Sequence, residues 1–368
     1  MSSTTAILLT GVLVASACAL LGNFLILRRM AMMSDAISHA ILPGLVAGYF
    51  LAHGPNLLVG FLGAAAAAAV TVFLVEALQK TRRVDGGSAM GIVFPAMFAL
   101  GVVLVSKFFA DVHLDTDAIL YGNIEFSAFD ILYLGDRELG PQSLWVMGAL
   151  CALNLSFLGL FYKELKLTTF DPGLAAALGF SPLLMHYATM TVLSITTVGA
   201  FTAVGAILVV ALVIVPAATA YLLTDRLAVM IGLSVAIGAV AAVAGYFVAV
   251  ALDASIAGAM VTMTGVLFAA ALLFSPSQGL IAKARRTRRN RARFAAEMLV
   301  VHLFTHEGSA AQAAESLVAH LSDELRWSVE TARQTVARAL DQGLVSQAGE
   351  RLALTDDGRQ TARQVLAR

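Results

Sequence analysis

Seven apolar runs, at about residues 5–27, 56–78, 88–108, 143–162, 203–223, 228–250 and 255–275, each reach or approach the roughly 20 residues that a helix needs to cross a bilayer. Two shorter candidates, 36–53 and 183–201, bring the count to nine; a re-entrant reading of one of them leaves eight. Hydrophobic residues make up 59% of the chain and charged ones 13%, against roughly a quarter charged in soluble domains. The expectation is an all-α polytopic membrane protein. No Lys or Arg precedes the first run, which is too long and too unflanked for a cleaved signal peptide and reads as a spanning helix. Cys18 and Cys151 both fall inside spans, so neither a disulfide framework nor a cysteine metal cluster is expected.

Net charge is zero but unevenly placed. Residues 1–282 carry 10 basic and 14 acidic side chains, and residues 283–368 carry 14 and 10. The basic clusters are Arg28-Arg29, Lys80 to Arg83, Lys163 with Lys166, and the run from Lys283 to Arg293. The positive-inside rule makes these loops cytoplasmic, and nine spans with the N-terminus outside and the C-terminus inside put all four on one side. Residues 109–142 then lie outside, where Asp111, Asp115, Asp117, Glu125, Asp130, Asp136 and Glu138 face only Arg137 and His113. Such an acidic rim concentrates cations or steers a docking partner, or serves solubility alone.

Beyond Ser275-Pro276 the apolar character stops. The chain divides into a transmembrane domain at 1–282, a basic juxtamembrane linker at 283–293 suited to anionic headgroups, and a cytoplasmic domain at 294–368. In the last part, Phe294–Thr305, Ala310–Leu325 and Val329–Leu340 carry helical periodicity. Gly343 closes the third helix, 344–355 reads as two short strands around a glycine turn, and a helix capped by Thr355 follows. This order, with Leu354-Thr355-Asp356-Asp357-Gly358-Arg359 after the second strand, resembles a winged helix-turn-helix, a small α/β unit. Residues 294–368 hold 7 basic and 10 acidic groups, a poor match to DNA. Protein docking or regulation is the expected use.

Three segments carry chemistry. In Met33-Ser34-Asp35-Ala36-Ile37-Ser38-His39-Ala40-Ile41-Leu42-Pro43-Gly44, Asp35 and His39 are four residues apart and share one helical face. Ionisable groups are costly in a spanning helix and mark a pathway or site, and Asp with His is a pair that divalent transition metals accept. The competing reading makes Asp35 a helix N-cap and His39 a satisfied core residue. Between the fifth and sixth spans, Phe170-Asp171-Pro172-Gly173 to Leu178-Gly179 reads as a short cytoplasmic helix with Asp171 as N-cap, Pro172 at N1 and Gly179 at C′. Third, Pro216 interrupts the run from Gly205 to Ala220, where it kinks or locally unwinds the helix. His53, Glu76, His186 and Asp253 have interfacial explanations, and Met30, Met32 and Met33 read as packing residues. No Gly-Lys dipeptide exists, so the Walker A phosphate loop is absent, as are Gly-x-Ser-x-Gly and His-Glu-x-x-His.

Arg28 to Gly44, Phe170 to Gly179 and Val213-Ile214-Val215-Pro216-Ala217-Ala218-Thr219-Ala220 together resemble, in order, the three signature stretches of the ABC-3 permeases, over about residues 5–276. Those are type II-like membrane subunits of bacterial plasma-membrane importers for manganese, zinc and iron. The resemblance implies a homodimeric permease, two separate cytoplasmic ATPase subunits and an external metal-binding protein. It also implies metal binding at Asp35 and His39, ATPase coupling through Phe170, Asp171, Pro172, Gly173, Leu178 and Gly179, and pathway positions at Pro43 and Pro216. Two-fold symmetry would bring two Asp35 and two His39 to one axis. Such a nitrogen and oxygen set suits Mn, Fe or Zn rather than Cu(I) or Ca. The enlarged loop at 109–142 and the C-terminal domain depart from the minimal subunit. The alternative function is a metal-responsive membrane-tethered sensor acting through the tail; a proton- or sodium-coupled carrier lacks a second acidic relay.

Overall fold

The computed structural model describes residues 2–54, 57–108, 124–134, 137–276 and 278–367. The chain divides into two compact units, Met1–Gly279 and Leu280–Arg368. In the first, chain order gives α1 (Ser3–Leu27), α2 (Met32–Ala52), α3 (Leu57–Lys80) and α4 (Gly86–Phe108). A two-stranded hairpin follows, β1 (Ile131–Leu134) and β2 (Arg137–Pro141), then α5 (Gln142–Phe170), the short α6 (Pro172–Ala177), α7 (Pro182–Val204), α8 (Ala206–Leu223), α9 (Leu227–Leu252) and α10 (Ile256–Phe274). Among the described residues nine helices are long and apolar enough to cross a membrane. The two short candidates, at 36–53 and 183–201, are the full-length α2 and α7. This is the all-α polytopic fold expected for a type II-like permease.

Helix α1 is buried on every side, with Val14, Cys18, Leu21, Phe24 and Leu25 all in the core, as befits a helix apolar all round. Polar side chains tie it to its neighbours at both ends. Tyr246 Oη donates to Thr4 Oγ1, and the Thr10 and Ser143 hydroxyls pair. At the other end Asn23 Nδ2 donates to Ser234 Oγ, and Arg28 donates to Thr168 and Thr169. Ser275 Oγ donates to Leu222 O, joining the ends of α8 and α10. These contacts make α1, α5, α8 and α10 run one way and α9 the other. Arg28-Arg29 and the Lys163/Lys166 pair therefore meet at one end of the bundle. Each such bond is worth about 0.6 kcal/mol inside a membrane, so their value is in fixing register.

Three local features differ from the sequence expectation. Helix α5 runs on to Phe170, carrying Lys163 and Lys166 in its last turns, with a non-helical residue at Phe161 (φ −108°, ψ 20°). The run expected as one span from 203 is broken at Gly205, whose φ of +82° separates α7 from α8, while the backbone stays helical through Pro216. Glycine tolerates that backbone angle, and a proline is tolerated inside a spanning helix where neighbouring helices re-satisfy the freed backbone group. The segment between α4 and α5 holds a hairpin, with Ile131 opposite Pro141. Of the expected acidic rim, Asp111, Asp115, Asp117 and Asp136, with His113, lie outside the described residues. Glu125 is committed elsewhere: Oε1 accepts the Ile256 amide at the start of α10 (3.0 Å).

The second unit begins with α11 (Leu280–His306), so the basic run 283–293 is the first part of a helix continuous with 294–306. Then come α12 (Gln312–Glu315), α13 (Val318–Glu324), α14 (Val329–Asp341), β3 (Val345–Ala348), β4 (Arg351–Leu354) and α15 (Asp356–Leu366). Its core is Leu299, Val300, Leu303, Leu321, Val336, Ala339, Val345, Leu352, Leu354 and Ala362. The single helix expected over 310–325 is two short ones. Between them Val318 N donates to Glu350 O and Leu352 N to Ser316 O, so 316–318 lies as a third edge against β4. Gly343 adopts φ +69° after α14, and Thr355 caps α15 by accepting the Gly358 amide.

Candidate functional site

Helix α2 buries Met33, Ile37 and Ala40, at helical spacing, together with Ser34, Ala36 and Ser38. That packing fixes the rotation of the helix and turns Asp35 and His39 to its side, each about a third exposed within the chain. Asp35 Oδ1 lies 3.5 Å from His39 Nε2. The His39 ring packs against Phe94 (4.7 Å between centroids) and edge-on to Phe98 (5.3 Å), both on α4. Asp35 is in the first turn of α2 but does not cap it: the N-cap position is Ala31, without a side-chain bond. Next to it, Ser34 Oγ is buried with no hydrogen-bond partner among the described residues.

A separation of 3.5 Å is long for an N–H···O bond. It is close to the spacing of two ligands on one tetrahedral ion, about 3.4 Å for bonds of about 2.1 Å. The aromatic wall of Phe94 and Phe98 restricts His39 to one side. Met33 is fully buried, consistent with packing, and Met32 is exposed.

Pro43 lies inside α2, four residues beyond His39, and its neighbour Gly44 sits where α2 meets α3 most closely. A Cβ there would come within 2.7 Å of Ala64 Cα and 2.8 Å of Ala67 Cβ. Only glycine permits that approach, which holds the helix bearing the pair against α3. Pro216 is buried within α8.

The second cluster is the α5–α7 connection. Asp171 Oδ1 accepts the Leu174 amide (2.9 Å), and Pro172 takes the first helical position. At the far end Gly179 N donates to Ala176 O and Phe180 N to Ala175 O, with Gly179 at φ +86°, a Schellman closure. Six residues cannot hold a helix by propensity alone; the caps do it. Ala175 is buried, while Phe170 and Leu178 are 58% and 61% exposed, and Asp171, Pro172, Gly173 and Gly179 are exposed too. The result is a rigid apolar knob between two spanning helices.

Sequence reasoning treated Glu76 and His186 separately, yet the structure joins them. His186 Nε2 on α7 lies 2.5 Å from Glu76 Oε1 on α3, Tyr187 Oη donates to Glu76 Oε2, and Lys80 Nζ is 3.9 Å from the same carboxylate. Only the Glu76/Lys80 spacing was a local signal; the other partners lie over a hundred residues away. His186 lies four residues beyond Pro182, the first residue of the helix that follows the knob, so the network ties the start of α7 to the end of α3.

Residues 2–275 match the model of the ABC 3 transport family. The zinc transport system membrane protein TroD of Treponema pallidum is 46% identical over 355 residues, 96% of each chain, a stretch that takes in most of the C-terminal unit. The manganese transport system membrane protein MntD of Bacillus subtilis is 46% identical over 281 residues, 76% of this chain and 95% of that one. Among solved structures, PsaBC from Streptococcus pneumoniae in complex with a Fab superposes with a TM-score of 0.63 at 30% identity, over 76% of this chain and 94% of that one. With residues 2–275 matched and nine candidate spans among the described residues, this chain belongs to the ABC 3 transport family and is a multi-pass permease subunit rather than an ATPase.

Proposed function

We propose that this chain forms the translocation pathway of an importer for a divalent transition metal, manganese, zinc or iron, in a bacterial plasma membrane. It works as a homodimer with separate cytoplasmic ATPase subunits and an external metal-binding protein, its N-terminus outside and its C-terminal domain inside. The observation that carries this reading is the Asp35/His39 pair, 3.5 Å apart against an aromatic wall in the second spanning helix. Each chain offers one oxygen and one nitrogen, and a second copy related by a two-fold axis completes a four-ligand shell for the passing ion. A zinc and a manganese transport system membrane protein are equally identical to this chain, and selection among such ions follows site geometry and metal availability. The capped knob at 170–179 docks into the ATPase, and the Glu76 network passes its displacement to α3. The basic clusters at the knob's end of the bundle support the stated orientation. The C-terminal unit, four helices, a hairpin and a final helix, is read as a winged-helix module used for docking or regulation rather than for DNA.

Cells lacking their own importer and expressing this chain with its ATPase test the reading. Asp35→Ala and His39→Ala should abolish ATP-dependent metal accumulation while leaving membrane insertion and ATPase association intact. Full accumulation by either variant would refute the assignment.

A further inference from the structure

The C-terminal unit holds a cluster the permease reading does not use. His302 and His306 stand one turn apart on α11, with ring centroids 4.9 Å apart, and Glu315 closes α12 opposite them. One ligand atom from each of His302, His306 and Glu315 lies within 4.8 Å of the others. A third imidazole comes from α13: His320 Nε2 is 3.3 Å from Glu315 Oε2, and His302 Nε2 is also 3.3 Å from that oxygen. The His302 side chain is only 7% exposed, yet neither its Nε2 nor Glu315 Oε2 has a hydrogen-bond partner among the described residues.

Two buried polar atoms facing each other without a hydrogen bond are costly. Simple ion pairing does not account for the arrangement. One carboxylate neutralises one imidazolium, whereas His302 and His320 both stand 3.3 Å from this one and His306 is close by. Neutral imidazole nitrogens and a carboxylate are the ligand set of divalent ions such as zinc, manganese and iron(II). The distances agree. Bonds of about 2.05 Å around a tetrahedral ion place ligand atoms about 3.3 Å apart, the separation at which His302 Nε2 stands from Glu315 Oε2. A cavity of about 30 Å³ borders His306 and Glu315, and one water-sized particle needs roughly 10–15 Å³.

We propose that His302, His306 and Glu315 form a binding site for one divalent transition-metal ion in the C-terminal unit, separate from the Asp35/His39 pair, with His320 holding the Glu315 carboxylate from α13. The ion ties α11 to α12, one of the two short helices that pairing of 316–318 with β4 sets in place, and His320 on α13 backs the Glu315 carboxylate. The tail thereby responds to metal directly. The proposal stands on the tail's own geometry and does not depend on the transport reading.

The test uses the untagged full-length chain in detergent with Asp35→Ala and His39→Ala, so that the membrane pair contributes nothing. Dialysis against Co(II), followed by elemental analysis and visible spectroscopy, should give one ion per chain with the intense absorption of a four-coordinate nitrogen and oxygen site. Adding His306→Gln, a half-buried position tolerant of replacement, should weaken binding at least tenfold and remove that absorption. Absence of bound ion in the first protein, whose tail is unaltered, would overturn the proposal whatever the fate of the second. Unchanged affinity in a folded His306→Gln protein would overturn it too.

Discussion

The apolar knob at 170–179 allows a quantitative test of coupling. Burying a Leu or Phe side chain fully contributes about 1.5–3 kcal/mol. Phe170 and Leu178 have 58% and 61% of their surface still exposed, which leaves roughly 1–1.5 kcal/mol each for a docking partner to recover. Replacing both with serine should cost about 2–3 kcal/mol of association, a 30- to 150-fold weaker complex with the ATPase at about 1.4 kcal/mol per tenfold. Neither residue is buried in the chain, so the bundle should remain folded. The assay is co-purification of the ATPase at graded concentration, with metal uptake measured alongside. Leu366→Ser, equally exposed but in the C-terminal unit, is the control. Asp171→Ala removes the cap bond to Leu174, worth about 1 kcal/mol, and should weaken the complex by less than tenfold, whereas Asp171→Asn should not. Unchanged co-purification of the Phe170→Ser/Leu178→Ser protein would refute the docking role.

Two further substitutions probe the frame around the site. Gly44→Ala places a methyl group against Ala64 and Ala67 on α3; overpacking should cost about 1–3 kcal/mol and lower the melting temperature in detergent, and an unaltered melt would show that α2 and α3 do not pack this closely. Glu76→Gln keeps the shape but removes the charge facing His186 and Lys80; loss of charge-assisted bonds should cost about 1.5–3 kcal/mol and reduce uptake with ATPase binding retained, and normal uptake would mean the network does not connect the knob to α3.

Much of this was legible in local sequence. The Asp35/His39 spacing places both on one face before any fold is known, and the caps at Asp171 and Gly179 are set by residues within the same ten. Helix lengths followed from apolar runs because a bilayer imposes one length. The misses are non-local or masked by a louder signal. Gly205 sits in an unbroken apolar run where Pro216 is the conspicuous breaker, yet Gly205 carries the break. Glu76 finds His186 and Tyr187 only when α3 packs beside α7. In the tail, 310–325 has helical periodicity, but pairing of Ser316 and Val318 with the strand at 351–354 divides it and brings Glu315 to His302. The His302/His306 spacing was visible, as it was for Asp35/His39, but its partners were not.

The central claim is that Asp35 and His39 hold the transported ion. The most direct measurement is equilibrium binding of manganese and of zinc to this chain purified with its ATPase, with His302→Asn and His306→Gln silencing the tail. One ion per dimer, lost on Asp35→Ala or His39→Ala without dissociation of the complex, is the predicted result. An ion retained undiminished by both variants would contradict it.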